Sequence, residues 1–136
     1  MEEKSLQQRL DHARHTVGGD PWAKFIDIRI DEVEERYAKV SILPEARHLN
    51  ALGMVHGAVF YALADQAYAV ASNTAPSPAV LIEANLNILN AGKPGVRLCA
   101  EARARDVKRK LTTWDVEIKD PDGKLMAVSR GITYSL

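Results

Sequence analysis

The sequence predicts a single α+β domain: a curved, mostly antiparallel sheet wrapped around one long central helix, with an N-terminal helix in front. Three observations lead there. Gly57 to Ala71 is an almost wholly uncharged stretch, broken only by Asp65, and a helix that is apolar nearly all round is a buried one. Segments on both sides of it alternate apolar and polar residues with the two-residue period of strands. Short turns join the later strands, which favours antiparallel pairing. At 136 residues the chain is of one-domain size and long enough to bury a real core.

The elements follow in order. Leu6, Leu10, Ala13 and Val17 recur at helical spacing and stop at Gly18-Gly19, giving an N-terminal amphipathic helix within residues 1–19. The main domain then occupies residues 20–136. Asp20-Pro21 supplies an N-cap and an N1 proline for a short turn carrying Trp22 and Phe25. Ile26, Ile28 and Ile30 alternate with Asp27, Arg29 and Asp31, which predicts a half-buried strand. Tyr37 to Leu43 alternates again and can pair back on it, ended by Pro44. After the apolar helix, Val80, Ile82, Ala84, Leu86 and Ile88 should share one strand face. Val96, Leu98, Ala100, Ala102 and Ala104 should share the next, and Thr112, Trp114, Val116 and Ile118 a third. Asp120-Pro121-Asp122-Gly123 is a turn, and Leu125 to Tyr134 a closing strand. One long apolar helix needs cover on most sides. A curved sheet around it, with a second subunit over the remainder, is the hotdog fold.

Composition excludes several classes. Lys+Arg and Asp+Glu are balanced at 18 each, so charge gives no reason to expect nucleic acid as a partner. The single cysteine, Cys99, excludes an internal disulfide and suits a reducing compartment. The N-terminus is polar and acidic, unlike a signal peptide, and the apolar helix is shorter than the ~20 residues a bilayer crossing needs. A soluble, cytoplasmic protein is expected, with no membrane partner. No His, Cys or carboxylate pair has metal-ligand spacing, and no metal or other cofactor is expected. A G-x-S-x-G elbow and nucleotide-binding glycine patterns are absent. His12, His15 and His48 read as surface residues.

Asp65 is the residue that asks for a reason. A carboxylate on a buried helix costs several kcal/mol unless compensated, so it marks either a fold-specifying hydrogen bond or chemistry. The segment entering the helix, Asn50-Ala51-Leu52-Gly53-Met54-Val55-His56-Gly57, is polar and glycine-containing. Read through to Ser72, it resembles the signature of the PaaI-like (phenylacetate-pathway type) group of hotdog acyl-CoA thioesterases: N-x-x-G-x-x-H-G-G, then an apolar stretch with L-x-D. Asn50, Gly53, His56, Gly57 and Asp65 stand at the matching positions. The flanks DPWAKF, VLIEANLNIL and DGKLMAVSRGITY extend the resemblance over nearly the whole chain from about Asp20.

What the resemblance implies is thioester hydrolysis. The Gly57 backbone N–H would polarise the thioester carbonyl, His56 and Asn50 would help position thioester and water, and Asp65 would be the general base, or the nucleophile through an anhydride. The chemistry is sound, because negative charge grows on the carbonyl oxygen during attack and helix N-termini stabilise such charge. Spacing adds a constraint. Eight helical residues rise about 12 Å, so Gly57 and Asp65 of one chain cannot both touch one thioester carbon. Two antiparallel copies of the helix about a two-fold axis would bring them together, in keeping with the homodimers or homotetramers (dimers of dimers) that the resemblance implies. Lys108, Arg109 and Lys110, with Arg103 and Lys93 as further candidates, would meet the phosphates of coenzyme A. Phe60, Tyr61, Tyr68 and Leu81 would line the acyl space. The chain departs from the pattern at Ala58, where the second glycine is expected, and at Gln66 and Leu81, where many relatives carry Ser or Thr. Those missing hydroxyls keep a second reading open, a catalytically weak acyl-CoA sensor or carrier. A hotdog dehydratase ranks low, since its His–carboxylate spacing is absent.

Overall fold

A computed structural model describes residues 3–136; the first two residues of the expected N-terminal helical segment lie outside that range. Helix α1 (Leu6–His12) starts at Ser5, whose hydroxyl accepts from Gln8 N while the Gln8 side chain accepts from Ser5 N, a reciprocal capping box. It runs on through a π-helical turn, Ala13–Val17. Gly18 ends it where nothing larger fits: a Cβ there would lie 2.5 Å from the Arg14 carbonyl oxygen and 2.6 Å from Ile30 Cγ1. Helix α2 (Pro21–Ile26) is capped by the Asp20 carboxylate on Ala23 N and closed by Asp27 in the left-handed region, φ 64°.

That left-handed residue displaces the first expected strand. Ile26 is the last residue of α2, and β1 spans Arg29–Glu34, pairing with β2 (Tyr37–Ile42). Helix α3 (Gly57–Ser72) follows, then β3 (Ala79–Ile88), β4 (Leu98–Val107), β5 (Leu111–Lys119) and β6 (Leu125–Ser135). The six strands form one sheet in the order β1-β2-β4-β5-β6-β3, antiparallel at every pairing. The sheet curves around α3, which is the hotdog arrangement, and the helix packs chiefly on β2, β4 and β3.

Leu63, Ala67, Tyr68 and Val70 of α3 are fully buried against Val40, Leu98, Ala100 and Ile118 of the sheet. At ~25 cal/mol per Å² of apolar surface, this face is the main source of stability. The opposite face is left uncovered by the chain's own sheet. Ala58, Tyr61 and Asp65 are exposed there, Tyr61 by 54%, so α3 is one-sided where the sequence reads as buried all round.

Strand β3 also departs from simple alternation. A bulge at Ile82 sets Leu81 opposite Thr133 and Glu83 opposite Ile132, inserting one extra residue. Leu81 and Leu86 both pack on the core, while Val80 and Ile82 are exposed. The five-residue face expected of this strand is thus split at the bulge. His48 differs too. It is buried, with Nδ1 accepting from Glu45 N and Nε2 3.1 Å from the Ile26 carbonyl oxygen, a structural pin rather than a surface residue. No helix among the described residues is long and apolar enough to cross a membrane.

Candidate active site

The loop into α3 is folded by Asn50. Its Oδ1 accepts from Leu52 N (2.9 Å) and Met54 N (3.1 Å), and its own N–H donates to the Met54 carbonyl (2.7 Å). Gly53 takes φ 78° in that turn, a conformation that favours glycine. His56 is the N-cap of α3: its backbone N–H donates to the His48 carbonyl (2.8 Å), and its Nδ1 accepts from Ala58 N (3.0 Å). An accepting Nδ1 puts the proton of the neutral ring on Nε2. With Ala58 N engaged, Gly57 N–H has no acceptor among the described residues. It lies at the positive end of the helix dipole, beside a cavity of about 290 Å³ lined by Asn50, Met54, Phe60, Ile88 and Asn90. A Cβ on Gly57 would meet Ile88 Cδ1 at an ordinary 3.5 Å. Packing within one chain does not demand glycine there.

Asp65 lies elsewhere, in a groove of about 500 Å³ between α3 and β3. Tyr61, Leu81, Leu86 and Ser129 share its walls, with Trp22 from α2. Although Asp65 is exposed on the open face of one chain, the groove walls partly desolvate its carboxyl and push it above its ordinary value of 3.8, and the negative charge of Asp20 adds to the rise. Tyr68 stands in the wall of the same groove, fully buried. Its hydroxyl is 2.7 Å from Ser129 Oγ, which donates to the Asn85 carbonyl at 2.6 Å; the Tyr68 hydroxyl is therefore the donor to Ser129. Burial pushes this phenol up to about 12. The ring lies over Gly131, where a Cβ would come within 2.7 Å of it.

Gln66, next to Asp65, turns away from the groove. Its side chain is buried and donates to the Val17 carbonyl at 3.0 Å, which also accepts from Asp20 N at 3.3 Å at the end of the N-terminal helix. The position where the resemblance leads one to expect a hydroxyl is here a tie between two helices.

Lys108, Arg109 and Lys110 line a third cavity of about 520 Å³ at the C-terminal end of α3, with Arg36, Ser72 and Trp114. Lys108 pairs with Asp106 at 3.0 Å, and Lys110 Nζ stands 5.8 Å from the centre of the Tyr134 ring. Arg103 is not among them. It pairs with Glu101 (3.0 Å) and covers the Tyr37 ring at 4.6 Å, and Lys93 lies outside the cavity as well. One chain therefore holds the expected residues in three separate places. Sequence reading missed Trp22, Ser129 and Asn85 as groove residues. Only the aromatic character of Trp22 could have signalled it; the other two reach the groove through strand register.

A six-stranded antiparallel sheet around one helix, with an unengaged N–H at that helix's start and a perturbed carboxylate on its open side, defines a hotdog-fold protein of the thioesterase type. The comparisons agree. The thioesterase superfamily model matches residues 52–127. The acyl-coenzyme A thioesterase PaaI of Escherichia coli K12 is 31% identical over 117 residues, 86% of this chain and 84% of that protein. The structure of E. coli PaaI, from the phenylacetic acid degradation operon, superimposes with a TM-score of 0.91 at 29% identity, covering 97% of this chain and 96% of that one. A point mutant of the phenylacetic acid degradation protein PaaI from Thermus thermophilus gives 0.82 at 32% identity, over 86% of this chain and 100% of that one. The same fold recurs in smu.793 of Streptococcus mutans UA159, solved bound to acetyl CoA, with a TM-score of 0.77 at 22% identity over 80% of this chain and 88% of that one. The chain belongs to the thioesterase superfamily and is a PaaI-like hotdog thioesterase.

Proposed function

We propose that the protein hydrolyses acyl-CoA thioesters to free acid and CoA, at a site assembled from Gly57 of one copy and Asp65 of another. One observation carries this reading. The unengaged Gly57 N–H and the Asp65 carboxyl sit in two different grooves of one chain, on a helix whose open face awaits cover. The E. coli relative is named an acyl-coenzyme A thioesterase, and the S. mutans neighbour was solved with acetyl CoA. Pairing of two copies is supported by β3, which has no outer neighbour in the sheet and exposes Val80, Ile82 and Ile88 along an open edge. A homodimer has two such sites, and a homotetramer pairs two dimers.

In this reading the Gly57 N–H donates to the thioester oxygen as it gains charge. Asp65 takes a proton from water, whose oxygen attacks the carbonyl carbon; the C–S bond breaks and the thiolate leaves, taking up a proton. Direct attack by the Asp65 carboxylate, forming an anhydride that water then cleaves, uses the same placement. His56 holds the helix start and Asn50 the loop shape, so both act by placing the Gly57 N–H. Leu81 and Tyr68 wall the acyl groove, and Lys108, Arg109 and Lys110 meet the CoA phosphates. The residual surface of Asp65 in one chain is closed by the second copy.

The test is thiol release from a panel of acyl-CoAs. Asp65→Asn should lower kcat by about 10²–10⁴-fold, the usual worth of general-base catalysis. Gly57→Pro removes the N–H at N1, a position that suits proline, and adds a ring whose Cβ has ordinary clearance of 3.5 Å from Ile88 Cδ1, behind a residue already extended at ψ 138°. It should cost about 10²–10³-fold. Refolding the two inactive chains together should restore about a quarter of wild-type activity, since half the dimers are mixed and each mixed dimer keeps one intact site. No recovery on mixing would sink the shared site. The missing hydroxyl beside Asp65, with Gln66 committed to Val17 and Leu81 apolar, favours a sensor as the second reading; acyl-CoA binding with no thiol release from any substrate would select it.

A further inference from the structure

We infer that Trp22 is the specificity-determining wall of the Asp65 groove, in direct contact with the acyl group, and that Gln66 is the positioning residue that sets it there. This rests on the hydrolase reading above. Every other residue lining the groove comes from α3, β3 or β6, while Trp22 alone comes from the N-terminal segment. The indole is 50% exposed and so contributes little to the core. One neighbour, Phe25, stacks on it, with centroids 6.0 Å apart and planes inclined by 20°.

The local structure holds this helix firmly although it buries only Ala23. Asp20 caps one end (2.9 Å to Ala23 N), and Asp27 closes the other. Arg47 clamps the closed end, donating to the Phe25 carbonyl at 2.7 Å and pairing with Asp27 at 2.5 Å. Gly18, hemmed in by Arg14 and Ile30, brings the chain round tightly enough to reach the groove. The link to the reacting end is Gln66, whose bond to the Val17 carbonyl ties the chain just ahead of α2 to the residue beside Asp65. A helix fixed at both ends, tied to the catalytic turn, and carrying an aromatic ring that packs little of the core is fitted to shape a ligand. A flat indole recognises flat apolar groups by offset stacking, and its bulk closes that end of the groove to large ones.

The experiment measures kcat and KM for benzoyl-CoA, octanoyl-CoA and acetyl-CoA with the wild type, Trp22→Ala, Trp22→Phe and Gln66→Leu. In Trp22→Ala the ratio of kcat/KM for benzoyl-CoA to that for acetyl-CoA should fall about five- to tenfold, the scale of one lost stacking contact, and mostly through KM. Trp22→Phe should recover most of it. Octanoyl-CoA should gain relative to benzoyl-CoA. Gln66→Leu should move the benzoyl-to-acetyl ratio in the same direction and add little on top of Trp22→Ala. Equal losses on all three substrates, or a Gln66→Leu variant that melts lower with an unchanged ratio, overturn the inference while leaving the hydrolase reading intact. A second measurement is independent of turnover. A non-hydrolysable benzoyl-CoA thioether should quench a fluorescence component that is present in the wild type and missing in Trp22→Phe, because Trp114 is buried. Binding without that quench overturns the inference even if no acyl-CoA is hydrolysed; quench without hydrolysis keeps the wall and removes the enzyme.

Discussion

The two faces of α3 share a composition but not an environment. On one, Leu63, Ala67, Tyr68 and Val70 are fully buried against the sheet. On the other, Ala58, Tyr61 and Asp65 are exposed, with an open groove between them and β3. The inner face follows the packing rule that volume must be filled without voids. The outer face breaks the rule that a helix this apolar should be covered, and its one charge stands on that side. In the proposed function stability and chemistry are separated by a rotation about one helix axis, and a substitution should reveal which side it falls on.

The largest effect is expected at the carboxylate. Asp65→Asn should remove about 10²–10⁴-fold of kcat without lowering the melting temperature at neutral pH. The sign follows from the raised carboxyl. A raised folded-state value means the fold prefers the protonated form, so the contribution of Asp65 to stability is full below its unfolded value and is lost as pH rises through the folded one. The neutral amide should therefore leave the protein as stable as before or more so at pH 7; a marked drop in melting temperature would place Asp65 on the structural side. Next comes Leu63→Ala on the inner face, expected to cost about 2–5 kcal/mol in denaturant unfolding, with kcat per folded molecule little changed. Gly131→Ala should cost about 1–3 kcal/mol by overpacking, because the new methyl meets the Tyr68 ring at 2.7 Å. The smallest effect is a displacement of a pH profile. The acid limb of kcat/KM should lie above pH 3.8, the ordinary carboxyl value, with activity lost as Asp65 takes up its proton; a limb at or below that pH would show that the groove does not perturb the group.

Element order is legible in the chain because each element carries its own period, and the helix entry is legible because Asn50, Gly57 and Asp65 lie close together in sequence. Other features depend on what no short window contains. Alternation at Ile26–Ile30 looks like a strand until Asp27 adopts a left-handed turn that ends α2. The five alternating residues of β3 share no single face, because register against β6 inserts Ile82 as an extra residue. His48 looks like a surface residue because its acceptor, Ile26 O, is 22 positions away. Trp22 reads as part of a short turn, yet its place in the groove depends on a tie 49 positions long between Gln66 and Val17. The basic trio is visible as a cluster, but its neighbourhood with Arg36 depends on how two hairpin ends meet.

The bulge at Ile82 gives β3 an unusual tolerance to change in length. With Ile82 present, Leu81 and Ala84 stand opposite Thr133 and Gly131, both buried residues of β6. Removing Ile82 would leave Leu81, Glu83 and Ala84 paired in unbroken succession with Thr133, Ile132 and Gly131, so a one-residue deletion at the bulge keeps the rest of the strand in register. This strand can lose one residue at that point without exchanging core for surface, and the curvature of the groove wall beside Asp65 would change with it.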